Sequence, residues 1–115
     1  MKGNQEVIDT LNKLLTGELS AMDQYFVHGL MYEDWGLNEL HERISHESDD
    51  EREHAKKLVQ RILFLEGTPD VASREALNIG KDTQEMLKND LAYEYQVADN
   101  LRSAIALCEL KSDYE

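Results

Sequence analysis

The chain contains 115 residues, of which 41% are hydrophobic and one is proline, a composition that suits one small helical domain with a modest core. Its formal net charge of −12 argues against nucleic acid and anionic membrane surfaces as partners, because both bind basic proteins. An acidic surface concentrates cations, or it serves solubility alone. No apolar run is long enough to cross a membrane, no apolar segment follows Lys2 as in a signal peptide, and the lone Cys108 is typical of a reducing cytoplasm.

The first predicted helix covers residues 4–35. Its apolar residues recur three and four positions apart, which is the spacing of one helical face. The residues on that face are Val7, Leu11, Leu14, Leu15, Leu19, Met22, Phe26 and Leu30. Gly36 follows where many helices end on a left-handed residue, so we predict a short turn at this point.

The second predicted helix covers residues 38–66. Asn38 is a suitable cap for its N-terminus, and its end is indicated by Gly67 and by Pro69 two residues later. The residues of its apolar face are Leu40, Ile44, Ala55, Leu58, Ile62 and Leu65.

The apolar periodicity fails over residues 67–81. A connection of this length is too long for a tight hairpin, and it is typical of a crossover that runs from one end of a helical bundle to the other. We therefore predict the order helix, short turn, helix, long crossover, helix, with each helix about 45 Å long.

The third predicted helix covers residues 82–112. Asp82 and Glu85 resemble a capping box in which aspartate replaces the usual serine or threonine. The residues predicted to form its apolar face are Leu87, Leu91, Val97, Ala98, Leu101, Ile105 and Cys108. Three such rods need a fourth neighbour to cover their inner stripes, and no further helical pattern follows before Glu115.

Each predicted helix carries a glutamate on its apolar face, namely Glu18, Glu51 and Glu94. Three buried, ionised carboxylates would repel one another, and no lysine or arginine interrupts the stripes at the same level. His54 follows Glu51 by three residues on the same face, a spacing found in di-iron helical bundles. Measured from the turn at Gly36, Glu18 lies roughly 28 Å and Glu51 roughly 21 Å along the helices, about one turn apart. The combined pattern predicts a metal pair, whereas each residue alone would indicate an edge or surface side chain.

Several short stretches are also distinctive. They are Met1-Lys2-Gly3, residues 11–19, Gln24-Tyr25-Phe26, Asp34-Trp35-Gly36, residues 61–67 and Leu77-Asn78-Ile79-Gly80. With these stretches the sequence resembles the bacterioferritins over essentially all of its length. The resemblance implies an all-α, ferritin-like antiparallel four-helix bundle with a long crossover, of which only three helices are encoded here. It also implies a hollow, cytoplasmic shell of 24 subunits, homo- or hetero-oligomeric, that oxidises Fe(II) with O₂ or H₂O₂ and stores a ferric mineral.

The resemblance implies roles for individual residues. Those that fall on the family's ferroxidase ligands, which hold a di-iron centre, are Glu18, Glu51, His54 and Glu94. Tyr25 matches a tyrosine near that centre that helps to deliver an electron, although a hydrogen-bonded core tyrosine would look the same. His46 and Asp50 match an iron site on the inner surface of the shell, with solvated helix residues as an equal alternative. The implied electron donor is a ferredoxin-type protein.

Two departures from the family concern haem and the fourth helix. The family holds haem b through a methionine immediately after the bridging glutamate; here that residue is Arg52, whose guanidinium cannot ligate iron. Met31 and Met86 are typical core fillers, so we expect any haem in the shell to be held by a different subunit. The family's fourth helix, with its second Glu-x-x-His pair, has no counterpart in this sequence. A truncated product is the favoured interpretation, and a partner-supplied helix or a degenerate paralogue is the alternative.

Other functions are compatible with parts of this pattern. The missing helix favours a non-catalytic structural or regulatory shell subunit that co-assembles with complete subunits. A rubrerythrin-like peroxidase is disfavoured, because one cysteine cannot build the four-thiolate iron centre of those proteins. A designed bundle is disfavoured by the irregular surface composition. The leading hypothesis is therefore an iron-storage ferroxidase subunit.

Overall fold

A computed structural model describes residues 2–111. They form three helices, α1 (Gln5–Asp34), α2 (Asn38–Phe64) and α3 (Thr83–Leu110), and these residues include no β-strand. The molecule measures 49 × 21 × 21 Å, so the helices run along its long axis. The predicted all-α architecture is confirmed, and residue 112 of the predicted third helix lies outside the described residues.

α1 lies between the other two helices and is antiparallel to both. The N–H of Gly3, just before α1, donates to the carbonyl oxygen of Leu65, just after α2, at 2.9 Å. Lys111 Nζ, just after α3, lies 3.2 Å from Glu6 Oε2 in the first turn of α1. Within residues 2–111, no Cα atom of α2 comes within 8 Å of one in α3. The three helices therefore leave a groove between α2 and α3. None of them is long and apolar enough to span a lipid bilayer, as far as the chain is described.

Side chains cap two of the three helices. The Asn4 side chain accepts a hydrogen bond from the N–H of Glu6 at 2.8 Å and so caps α1. The Asp82 carboxylate accepts the N–H of Glu85 at 2.8 Å and caps α3. The Glu85 carboxylate in turn accepts the N–H of Lys81 at 3.2 Å, so the return bond of the predicted capping box is shifted by one residue.

The start of α2 differs from the prediction. Leu37 occupies the N-cap position without a side-chain hydrogen bond, and Asn38 is the first helical residue, so the predicted capping role of Asn38 is wrong. The tightness of the turn is the reason. The Leu37 N–H still bonds to the Tyr32 carbonyl at 2.9 Å, while the Leu37 carbonyl already accepts the first α2 bond, from His41, at 3.0 Å.

Gly36 adopts the left-handed conformation predicted for it, with φ at 77°. A Cβ atom there would meet no atom within 4 Å, so alanine would suffer only from the backbone conformation. We expect Gly36→Ala to lower the free energy of unfolding by about 1 kcal/mol, measured by urea denaturation. Gly17 is the matched control, because it lies inside α1 and its Cβ would make only an ordinary contact, 3.9 Å from Glu75 Oε1. Gly17→Ala should raise stability by up to about 1 kcal/mol; the same sign for both variants would contradict this explanation.

The end of α2 also departs from the expected pattern. The left-handed residue is Glu66, with φ at 62°, and not the following glycine. Gly67 is required for space instead, because a Cβ atom there would lie 2.7 Å from Ile8 Cγ2. The helix itself ends at Phe64, two residues before the predicted end at residue 66.

The apolar core consists of two clusters. The buried residues of the first are Val7, Ile8, Leu11, Leu14, Leu15, Ala55, Ile62, Leu65 and Ala104. Those of the second are Ala21, Tyr25, Tyr32, Ile44, Met86 and Tyr93. Buried Glu18 falls between the two clusters along α1, and buried Glu51 falls between them along α2. The carboxylates therefore interrupt the core at one level.

The predicted apolar faces of α1 and α3 are wrong in part. In α1, Phe26 is 60% exposed and Leu30 is 47% exposed. In α3, the expected inner residues that are in fact exposed are Leu87, Leu91, Leu101 and Ile105. The residues that α3 buries are Met86, Asp90, Tyr93 and Ala104. The physical reason is that, within residues 2–111, α1 is the one helix that packs against α3, so a narrow stripe is covered.

The crossover between α2 and α3 runs along α1. Its backbone is held by α1 side chains in chain order: the Asn12 side chain accepts the N–H of Asp70 at 2.8 Å, and the Ser20 hydroxyl accepts that of Glu75 at 2.9 Å. Further along, the Gln24 side chain accepts the N–H of Asn78 at 2.8 Å. These bonds replace the helical bonds that this segment lacks.

Candidate metal centre

Glu18 of α1 meets Glu51 and His54 of α2 in the middle of the helix pair. Each offers one ligand atom, and these three atoms all lie within 4.8 Å of one another. His54 Nδ1 is 3.4 Å from Glu18 Oε2 and 3.6 Å from Glu51 Oε2. Both glutamates are buried, whereas the His54 side chain is 55% exposed. The arrangement suits a cation that prefers oxygen and imidazole ligands.

Local structure explains why these three residues meet. Glu51 and His54 are three residues apart and therefore project from the same side of α2. Beside this group the Ser48 hydroxyl of α2 donates to the carbonyl oxygen of Met22 in α1 at 3.0 Å, which marks the level at which the two helices meet. Glu18 lies one turn from Met22 and so reaches the same level as the α2 pair.

The two buried carboxylates have too few hydrogen-bond donors. Burial raises the pKa of Glu18; the nearby His54 opposes this effect, and the charge of Glu94 adds to it. Glu51 Oε2 is buried and has no hydrogen-bond partner among residues 2–111; the nearest donor atom is His54 Nδ1, at 3.6 Å. A buried carboxylate oxygen with no donor is costly unless a cation neutralises it. Because a second buried carboxylate and an imidazole lie beside it, this oxygen is the feature that a bound metal ion would explain.

Glu94 lies beside this group but does not belong to it. Its carboxylate accepts a hydrogen bond from the Tyr25 hydroxyl at 2.8 Å. The expectation that Glu94 is buried is wrong: it is exposed, because no described residue covers this side of α3. Its charge nevertheless reaches Glu18. A role for Glu94 as a ligand stays a prediction.

Tyr25 is a buried core residue next to the centre. Burial raises the pKa of its phenol well above the ordinary value, and the hydrogen bond to Glu94 raises it further. The hydroxyl is therefore a permanent hydrogen-bond donor to Glu94. Its predicted part in electron delivery is untested by this geometry.

His46 and Asp50 lie away from the centre. His46 Nδ1 is 3.8 Å from Asp50 Oδ1, one helical turn along α2, and the His46 side chain is 76% exposed. This geometry is that of a solvated pair on the helix surface, and a role in binding iron at the inner surface of a shell stays a prediction.

The position of Arg52 does not suit haem. Arg52 is exposed on α2 and lines a shallow depression with Asp49, Glu53 and Lys56. A guanidinium offers no lone pair to iron, and the surrounding charges do not suit an apolar macrocycle. Met86 is fully buried in the core, as expected of a core filler. These residues therefore give haem no axial ligand at this position.

Three buried polar residues near the centre were missed by sequence reasoning. Gln24 and His28 of α1 are fully buried, and Asp90 of α3 is nearly so. The available signal was their spacing, because Gln24 and His28 are four residues apart and Asp90 precedes Glu94 by four. The predicted apolar face of α3 does not include Asp90, so the apolar spacing does not predict its burial.

Comparisons with known proteins agree with this fold. A family model described as "Ferritin-like domain" matches residues 8–115. A "Bacterial ferritin" of Paramagnetospirillum magnetotacticum is 62% identical over 109 residues, which are 95% of this chain and 66% of that protein. A "Bacterial ferritin" of Synechocystis sp. is 53% identical over 115 residues, covering 100% of this chain and 74% of that protein.

A "Bacterioferritin" of Mycolicibacterium paratuberculosis is 45% identical over 113 residues, covering 98% of this chain and 71% of that protein. The chain thus spans between 66% and 74% of the length of these three relatives. The similarity extends over all three helices and includes the crossover. The chain belongs to the ferritin-like family, as a relative of the bacterial ferritins and bacterioferritins.

Proposed function

We propose that the chain is an iron-storage subunit that oxidises Fe(II) at the centre formed by Glu18, Glu51 and His54, with Glu94 as a further ligand. Its setting is a hollow, cytoplasmic shell that holds the ferric product. The observation that carries the proposal is the buried, unpartnered oxygen of Glu51, which is directed into a group with a second buried carboxylate. Two such carboxylates stay ionised in a core only beside a cation.

The chemistry follows from the charges of the ligands. Fe(II) is the substrate, and anionic carboxylates stabilise the more highly charged Fe(III) product more strongly than Fe(II). Two Fe(II) ions give up one electron each; one H₂O₂ that receives both electrons and two protons leaves as two water molecules, and O₂ is the alternative oxidant. The exposed side of His54 gives the small substrates access to the centre.

Tyr25 and the surface pair His46 and Asp50 have supporting parts in this proposal. Tyr25 holds Glu94 through its hydrogen bond and is close enough to pass an electron to the centre. His46 and Asp50 bind iron on the inner surface of the shell, where it passes electrons from the cavity. A ferredoxin-type protein is the electron donor. Arg52 excludes haem from this subunit.

The proposal is tested by Fe(II) oxidation in the purified protein, followed by ferric absorbance and by consumption of the oxidant. Glu18→Ala should slow the initial oxidation by about tenfold or more, because the loss of one carboxylate ligand weakens the binding of Fe(II) at the centre. It should not unfold the protein. Glu42→Ala is the control, since Glu42 is exposed on α2 and its loss changes the net charge equally. Equal oxidation rates in the wild-type protein and Glu18→Ala would overturn the proposal.

A second candidate function is a non-catalytic shell subunit that assembles with complete subunits. The observation in its favour is the exposure of Glu94 and of the His54 side chain, which leaves the centre open toward the groove between α2 and α3. This function predicts that the purified chain binds Fe(II) without oxidising it, and that it co-purifies with a longer ferritin subunit. Rapid oxidation by the chain alone would exclude it.

A further inference from the structure

A buried polar cluster joins α1 to α3 beside the metal centre. It consists of Gln24, His28 and Asp90, which are 0%, 0% and 6% exposed. Gln24 Nε2 donates to Asp90 Oδ1 at 2.9 Å, and His28 Nδ1 lies 2.9 Å from the same oxygen. One carboxylate oxygen of α3 thus receives two donors from α1, and we refer to these three residues as the polar clamp.

The polar clamp also holds the end of the crossover. The Asn78 N–H donates to Gln24 Oε1 at 2.8 Å, and the Gly80 N–H donates to His28 Nε2 at 3.1 Å. Because Nε2 accepts this bond, the proton of His28 is on Nδ1, which is therefore the donor to Asp90. The direction of every bond in the clamp is fixed in this way.

The crossover is packed tightly against the start of α3 at the same place. A Cβ atom on Gly80 would lie 2.6 Å from the backbone nitrogen of Met86. The side chain of Asn89 donates to the Asn78 carbonyl oxygen at 3.1 Å. The clamp, the crossover and the first turns of α3 therefore form one connected unit on α1.

The position of this unit bears directly on Glu94. Asp90 precedes Glu94 by one turn of α3, about 6 Å along the axis. On α1, the clamp residue Gln24 is adjacent to Tyr25, whose hydroxyl donates to Glu94. Apolar packing of α3 near Glu94 consists of buried Tyr93 and partly buried Val97. The other two buried apolar residues of α3, Met86 and Ala104, lie more than two helical turns from Glu94.

We propose that Asp90 is a positioning residue for the metal centre, which holds α3 at the height on α1 where the Tyr25 hydroxyl keeps Glu94 beside the three-residue group. The inference rests on the proposed function, because it assigns Glu94 to a bound metal ion. The required property of Asp90 is its acceptor oxygen. Oδ1 receives both donors, while Oδ2 has no hydrogen-bond partner among residues 2–111. An asparagine therefore keeps the acceptor oxygen of the clamp, although its amide group at the Oδ2 position gains no partner.

The test is a titration of the full chain with Co(II), which reports each equivalent by its absorption spectrum. In the wild type we expect one equivalent at Glu18, Glu51 and His54 and a second that needs Glu94. Asp90→Ala should weaken the second equivalent by about tenfold or more and leave the first within about twofold. Asp90→Asn should restore the second equivalent, because it keeps the acceptor oxygen. If the negative charge of Asp90 were the required property, Asp90→Asn would behave like Asp90→Ala.

Gln24→Leu keeps the inference testable if Asp90→Ala does not fold. It removes one of the two donors to Asp90 and should weaken the second equivalent alone, by less than Asp90→Ala. Equal weakening of both equivalents, or an unchanged second equivalent in a folded variant, would overturn the role of Asp90. A wild-type protein that binds no Co(II) at the three-residue group would instead overturn the proposed function, so the two failures are distinguishable.

Discussion

Replacing Glu51 with glutamine is expected to abolish the stabilisation of the protein by divalent metal. Glu51 supplies the buried oxygen that lacks a hydrogen-bond partner, and a glutamine amide is a much weaker ligand than a carboxylate. In the wild type, free metal at one hundred times its dissociation constant should stabilise the fold by about 2.7 kcal/mol. This corresponds to a rise in Tm of roughly 10 °C for a chain of this size. In Glu51→Gln the rise should vanish in thermal melts with Co(II) or Zn(II).

The control for this experiment is Glu53→Gln. Glu53 is exposed on the same helix, and its replacement changes the net charge by the same amount. Its rise in Tm should equal that of the wild type. A full rise in Glu51→Gln would mean that the metal binds elsewhere, and a loss in both variants would assign the effect to surface charge.

Glu18→Gln is expected to stabilise the metal-free protein while it weakens the metal-bound one. Burial, aided by Glu94, raises the pKa of Glu18 above its ordinary value of 4.5, so the folded protein holds this proton more tightly than the unfolded chain. The resulting contribution to stability is fully present below pH 4.5 and is lost as pH rises through the raised pKa. Glutamine does not titrate, so the variant should have a higher free energy of unfolding than the wild type near neutral pH.

The pH dependence provides the sharper test of this effect. In chelator, the difference in free energy of unfolding between Glu18→Gln and the wild type should shrink as the pH falls toward 4.5. Glu42→Gln, at an exposed position, should give a small difference that does not change over this range. A Glu18→Gln difference that grows on acidification would contradict the raised pKa. Added metal should reverse the sign of the difference, because it binds only the wild-type ligand set tightly.

The helices were predictable because their apolar spacing is regular over many turns. Gly36 was also predictable, since few residues other than glycine adopt a left-handed conformation easily. The crossover followed from the failure of the periodicity between Gly67 and Lys81. The cap of α2 was not predictable in this way, because it depends on how tightly the chain turns at Leu37 and not on a residue type.

The orientation of α3 could not be predicted from the periodicity of its apolar residues. A bundle helix that faces more than one neighbour carries apolar residues on more than one side, and the spacing alone does not say which side packs against which neighbour. The spacing predicts that the inner face passes through Leu87, Leu91 and Leu101, whereas α1 covers the stripe through Met86, Asp90 and Tyr93. The polar clamp was missed for this reason.

The proximity of Glu18, Glu51 and His54 followed from sequence arithmetic, because three glutamates on apolar faces and one Glu-x-x-His spacing are unusual together. Two physical details could not be predicted from residue spacing. The lack of a donor to Glu51 Oε2 depends on the three-dimensional surroundings, and so does the hydrogen bond that turns Glu94 toward Tyr25. The ligand roles of all four residues remain predictions.

The most direct measurement is anomalous diffraction from crystals loaded with Fe(II) without oxygen, with data collected on both sides of the iron absorption edge. The account predicts a strong iron peak about 2.0–2.3 Å from carboxylate oxygens of Glu18 and Glu51 and from a ring nitrogen of His54. It also predicts that this peak is absent from Glu51→Gln crystals. Iron found only at exposed carboxylates such as Asp49 or Asp50, with none between Glu18 and Glu51, would contradict it.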